Sequence, residues 1–211
     1  MAFRVDIVSD VVCPWCVIGY LRLERVIDRL SLKEPVEIHW HPFELNPTMP
    51  QQGMDLYQHT FEKYAATSDA SERARSSMAT LGKELNFFFN FSTSMKIYNT
   101  RKAHQLLMWS AQFGLQYSLK MALFRAYFTQ STDVSSIENL REIARTVGLN
   151  PEVATQVMQD ETWENAVAVT EQQWVEAGIN AVPAFIFNQK QVLIGAQTES
   201  TLTDVISTIN M

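Results

Sequence analysis

Apolar and polar positions alternate at the start of the chain. Phe3, Val5 and Ile7 fall on one side of an extended segment, with Arg4, Asp6 and Val8 on the other, so residues 3–8 predict a strand. From residue 14 the spacing changes. Val17, Ile18, Leu21, Leu23, Val26, Ile27 and Leu30 recur at helical intervals, which predicts a helix over 14–30 that Glu34-Pro35 ends. Val36, Ile38 and Trp40 then alternate with Glu37, His39 and His41, as in a half-buried strand. On that reading His39 and His41 share the outer face, solvated or locally hydrogen-bonded rather than metal-bound. Pro42, Pro47 and Pro50 interrupt the pattern and open a connection.

From there to about residue 160 the chain reads as helical. One helix is expected over 54–65 and a second over 69–85, where Asp69 and Glu72 are spaced as a capping box. Phe87-Phe88-Phe89-Asn90-Phe91 is too aromatic for an ordinary loop. Asn99 is placed to cap a helix that stops at Phe113-Gly114, and another follows over 115–130. Ser135 and Glu138 mark a capping box for a helix ending at Val147-Gly148, Asn150-Pro151 starts a short one, and 161–177 ends at Gly178. The chain then returns to strands. Residues 184–187 and 191–194 flank Asn188-Gln189-Lys190 as a hairpin, and a last helix spans 199–209. The order β-α-β, helical block, α-β-β-α predicts an α/β protein, a small mixed sheet with helices on its faces. Expected boundaries are 1–43 with 158–211 for the sheet domain and 44–157 for an inserted all-helical domain.

Composition narrows the function classes. The 211 residues suit one domain with an insertion or two small domains. A formal net charge of −6 without a basic stripe argues against nucleic-acid binding. No apolar run approaches the roughly 20 residues that span a bilayer. The first residues enter a strand directly, without an apolar signal core, and with two cysteines this leads us to expect a cytoplasmic protein.

Both cysteines lie in Cys13-Pro14-Trp15-Cys16, where the first strand hands over to the first helix. Residues three apart share one helix face. Free N–H groups and the positive end of the dipole favour an anion at that end, so a lowered Cys13 pKa is expected. Pro14 fits the first helical position, where its missing N–H costs nothing. Cys13 is therefore the candidate attacking thiol and Cys16 the resolving thiol. Zinc usually asks for four ligands, and beside two cysteines only His39, His41, His59 and His104 are available. A structural disulfide across so short a loop would stabilise little. No metal or organic cofactor is expected. Trp15 is read as a contact face that tunes the site. Asp10 either caps the first helix or takes part in proton transfer, with the cap preferred. His104 is either a satisfied core histidine or a cleft residue that assists a substrate, with the first reading preferred. The cluster from Phe87 to Phe91, with Trp109, Tyr127 and Phe128, is either core or the wall of an apolar groove over Cys13.

Several stretches together resemble one family. Asp10-Val11-Val12-Cys13-Pro14-Trp15-Cys16 with Ile18-Gly19, Trp40-x-Pro42-Phe43-Glu44-Leu45-Asn46-Pro47, Asn99-Thr100-x-x-Ala103-His104-x-Leu106, Ala122-Leu123-Phe124-x-Ala126-Tyr127-Phe128, Gly178-Ile179-x-x-Val182-Pro183 and Gly195-Ala196-Gln197 are similar to DsbA-like thioredoxin-fold oxidoreductases of the FrnE-like cytoplasmic branch. The resemblance covers nearly the whole chain. It implies a thioredoxin fold with an inserted helical domain, a cis Pro183 opposite the cysteines, and a Val182 backbone free to pair with an extended substrate. It also implies thiol–disulfide exchange with protein or small-molecule partners, glutathione among them. Ala181 and Ile194 depart from the common pattern beside the expected groove. Kappa-type glutathione transferases and 2-hydroxychromene-2-carboxylate isomerases share a similar insertion, so glutathione-dependent isomerisation of a small molecule is the alternative. A binding module with incidental cysteines is the third.

Overall fold

The computed structural model describes residues 3–30, 32–92 and 94–209. Strand β1 (Phe3–Ser9) leads into helix α1 (Pro14–Leu30), and β2 (Val36–Pro42) follows. A two-residue strand β3 (Met54–Asp55) precedes α2 (Leu56–Tyr64) and α3 (Ser68–Glu84), and β4 (Lys96–Ile97) pairs back onto β3. Four helices come next: α4 (Arg101–Ser110), α5 (Gln116–Phe128), α6 (Ile137–Thr146) and α7 (Pro151–Gln159). The chain closes with α8 (Glu161–Glu176), β5 (Ala184–Phe187), β6 (Gln191–Ile194) and α9 (Glu199–Ile209).

The main sheet has the order β2-β1-β5-β6. β1 runs parallel to β2, with Ile7 opposite Trp40, and antiparallel to β5, with Ile7 opposite Phe185. Alternation along β1 serves two faces. Phe3, Val5 and Ile7 join α1 and α9 in the main core, while Val8 joins Ile186, Ile179 and Trp174 beneath α8. The apolar core continues without a break from this sheet through Trp40 to Phe124 and Phe128 of α5, which places helices directly over one end of the sheet.

Local starts differ from the sequence expectations by small amounts. α3 begins one residue earlier than Asp69 suggests, because Thr67 accepts from the Ala70 amide. Ser136, not Ser135, caps α6, and the Ser135 hydroxyl is used on Gln51 and Asp133. The expected helix over 54–65 gives up its first two residues to β3, and Asp55 caps the remainder through Tyr57 and Gln58. Asn150 caps α7 as expected, with Pro151 after it.

Candidate active site

Helix α1 starts at Pro14, so Cys13 sits just outside the first turn and Cys16 one turn in. The Cys16 amide donates to the Cys13 carbonyl at 3.1 Å. Both thiols are free and nearly inaccessible, at 4% and 1% exposure. Trp15 between them is 44% exposed and forms the outward face of the motif. The Val182–Pro183 peptide is cis, and the Cys13 thiol donates to the Val182 carbonyl at 4.0 Å. Gly19 on α1 allows this approach. A Cβ there would lie 3.0 Å from Pro183 Cγ and 3.1 Å from the Phe185 ring.

The expected lowering of the Cys13 pKa is not what the environment favours. The adjacent Cys16 thiol, followed by burial, pushes the Cys13 thiol well above its ordinary range. The Cys16 amide pulls the other way, as a helix N-terminus does, but it is outweighed. Asp10 adds a further push upward.

Asp10 does not cap α1. Its carboxylate is fully buried, accepts from the Leu45 amide at 2.8 Å and meets His104 Nε2 at 3.3 Å. Burial raises its pKa, but the His104 contact, His104's charge and the Leu45 amide together hold it below the usual carboxylate value. His104 is 1% exposed and points at Asp10, so it is a buried partner of that carboxylate and not a cleft residue. The motifs at 40–47 and 99–106 meet here. Arg101 pairs with Glu44, Glu171 accepts from the Glu44 amide, and Asn99 donates to the Pro47 and Met49 carbonyls. Burial first, then the Glu171 and Asp10 charges against the pull of Arg101, raise Glu44 to about 8.

Lys120 is the residue that sequence reading missed. It is 1% exposed, its ammonium lies 5.1 Å from the Trp40 ring centre and 4.9 Å from that of Phe124, and Cys16, Asp10 and Cys13 are the ionisable groups that act on it. The only signal was a lysine inside the dense apolar run from Leu119 to Phe128.

Cys13 also lines a cavity of about 530 Å3 between α1 and helices α2, α3 and α5. Trp15, Val182, Tyr64, Phe91, Tyr127 and Phe128 are among its walls. Of the aromatic cluster, Phe91 stacks on Phe89 and faces the cavity, whereas Phe87 and Phe89 are core and Phe88 is exposed. Trp109 packs away from the site against Phe113. Among the described residues no group of three or more His, Cys, Asp or Glu side chains is arranged to hold a metal ion.

The DSBA-like thioredoxin domain family matches residues 4–207. The chain belongs to this family. One relative is the uncharacterized protein YwbO of Bacillus subtilis, 26% identical over 208 residues, covering 98% of this chain and 97% of that one. A probable DsbA oxidoreductase from Streptomyces coelicolor superposes with a TM-score of 0.92 at 23% identity, over 98% of this chain and 89% of the other. The cytosolic disulfide reductase DsbM from Pseudomonas aeruginosa, solved with GSH, gives 0.64 at 15% identity, over 99% and 100%. A 2-hydroxychromene-2-carboxylate isomerase gives 0.69 at 12% identity, over 98% and 94%. The fold is thus a DsbA-like thioredoxin fold with a helical region between its β-α-β start and its α-β-β-α end. None of the described helices is long and apolar enough to cross a membrane.

Proposed function

We propose that this DsbA-like protein is a thiol–disulfide oxidoreductase in which Cys13 attacks and Cys16 resolves. The observation that carries the reading is the pair of free thiols at the start of α1, one of them 4.0 Å from the Val182 carbonyl at the wall of an apolar cavity. In one direction the Cys13 thiolate attacks a substrate disulfide, one substrate sulfur leaves as a thiol, and a mixed disulfide forms. Cys16 loses its proton and attacks the Cys13 sulfur. The second substrate thiol departs, and two electrons have passed from the protein to the substrate. The reverse sequence oxidises a dithiol. Pro14 and Trp15 shape the motif, and Val182 and Pro183 position the partner, with the Val182 backbone pairing with an extended segment. His104 acts on the site only through Asp10.

Proteins or small molecules carrying thiols or disulfides are the partners, with glutathione as a redox partner, in the cytoplasm and without a metal or organic cofactor. The GSH-bound cytosolic reductase of the same fold supports this placement. A second reading, glutathione-dependent isomerisation of a small molecule, is favoured by the cavity beside Cys13 and by the shared fold of the chromene carboxylate isomerase.

Redox titration in graded glutathione and glutathione-disulfide buffers, read by thiol alkylation and mass, tests the proposal. A strong oxidant stabilises its reduced form as a thiolate. A midpoint near about −270 mV would mark a reductase, and one at about −180 mV or higher an oxidase or isomerase. If no Cys13–Cys16 disulfide forms in any buffer, the exchange mechanism fails and the isomerase reading replaces it.

A further inference from the structure

The cavity beside Cys13, about 530 Å3, has the size of a site for a small organic molecule, roughly 300–1,000 Å3. Met78, Met95, Ile97 and the rings of Phe91 and Phe128 give it a mostly apolar wall, and neither Asp nor Glu lines it. One permanently charged side chain does. Arg75 of α3 is only 7% exposed, and its guanidinium lies 4.1 Å from the Tyr57 ring centre. Its Nη2 is buried and has no hydrogen-bond partner among the described residues. A buried guanidinium donor left unpaired is costly, and a carboxylate is the acceptor that matches it best.

The other polar groups of the wall do not answer it. The Thr60 hydroxyl donates to backbone carbonyls of its own helix, and Ser71 Oγ donates to Thr60 Oγ1 at 3.3 Å. Burial, then Lys63, holds His59 below its ordinary value, so at neutral pH it adds hydrogen-bonding capacity and no charge. The cavity thus combines apolar walls, one unmatched positive charge and one thiol.

We propose that this cavity binds a small amphipathic anion, an aromatic or branched apolar body bearing one carboxylate that pairs with Arg75, and that the natural occupant is such a molecule in disulfide form. In the occupied site the Cys13 thiolate attacks the nearer substrate sulfur, the substrate S–S bond breaks, and one carboxylate-bearing thiolate leaves and takes up a proton. Cys16, deprotonated, then attacks the Cys13 sulfur and releases the second thiol. The protein ends as the Cys13–Cys16 disulfide, and a monothiol reductant returns it to the dithiol. The exchange step rests on the redox reading above, whereas the binding step does not.

The test is calorimetric titration of the reduced protein with naphthalene carboxylate and with its uncharged isostere, naphthalene carboxamide. The wild type is expected to bind the carboxylate more tightly, and the bound carboxylate to slow alkylation of Cys13 by N-ethylmaleimide. Arg75→Gln is expected to weaken carboxylate binding by about tenfold or more while leaving the carboxamide unchanged, and Arg75→Lys to recover part of the loss. Unchanged carboxamide binding shows that the variant's cavity is intact. Equal affinity for the two probes, equal weakening of both in Arg75→Gln, or no protection of Cys13 overturns the site. Neither probe contains sulfur. A failed redox titration alongside carboxylate-selective binding therefore sinks only the exchange mechanism, and the converse result sinks only this site.

Discussion

Lys120 is charged chemistry in an apolar place. Burial pulls its pKa from 10.5 down to about 8, with Cys16 and Asp10 opposing the drop. The unfolded chain keeps this proton up to its ordinary value, and the folded chain releases it near pH 8. Below pH 8 the folded state therefore carries the full burial cost. Between pH 8 and 10.5 that cost fades, and stability from this group rises with pH. The two and a half units correspond to about 3 kcal/mol at about 1.4 kcal/mol per unit. Lys120→Met, similar in length and uncharged, should be more stable than the wild type at pH 7 by up to about that amount, with the gap closing by pH 10.5. Urea unfolding at both pH values checks this, and a gap that does not change with pH would show that the lysine is not charged and desolvated in the fold. Asp10 teaches the complementary lesson. Its position three before Cys13 suggests a cap, yet its partner His104 is 94 residues away, where local spacing carries no information.

Among the elements, α3 and the aromatic segment after it depend on one another. Gly82 lies in the last turns of α3, and the Phe89 ring and the Phe87 carbonyl cover it. A Cβ at Gly82 would sit 2.7 Å from the Phe87 oxygen. Alanine would gain about 1 kcal/mol of helix propensity. Overpacking against backbone and ring costs about 1–3 kcal/mol, and the backbone oxygen cannot swing aside as a flexible side chain would. Gly82→Ala should therefore lower stability by about 1 kcal/mol or more and shift Phe91 at the cavity wall, seen as a lower thermal midpoint and altered near-ultraviolet circular dichroism. A stabilised variant would mean that propensity decides there. The aromatic run was visible as unusual in the sequence, but its division into core Phe87 and Phe89, exposed Phe88 and cavity-facing Phe91 comes from packing. β3 and β4 were missed for a simpler reason: two residues are too few to show a period of two.

At the scale of the molecule, one side chain joins the helical region to the sheet. β2 is an edge strand. Gln116 of α5 accepts from the Trp40 amide at 3.0 Å and donates to the Trp40 carbonyl at 3.0 Å, taking the place of a further strand. It also reaches the Leu107 carbonyl of α4 at 3.2 Å. Gln116→Leu preserves bulk but leaves these backbone groups unpaired, so it should cost about 2 kcal/mol in urea unfolding and raise amide exchange along β2. A loss below about 0.5 kcal/mol would mean that water replaces the glutamine and that the bridge does not couple the two regions.

The sequence by itself determined the order of the main-sheet strands and the helices, the period-two strands near its start, the helix caps at Asn150 and Gly178, and the placement of Cys13-Pro14-Trp15-Cys16 at a strand-to-helix joint. Each of these follows from backbone geometry over a few residues, which spacing and composition record. Only the tertiary structure decided that Asp10 meets His104, that Lys120 lies near Cys16, that Cys13 and Cys16 are both buried, and that Arg75 lines the cavity without a hydrogen-bond partner for Nη2. These depend on which groups far apart in the chain share one low-dielectric space. Burial, charge pairing and the sign of the Cys13 shift are properties of that space, and no local pattern encodes them.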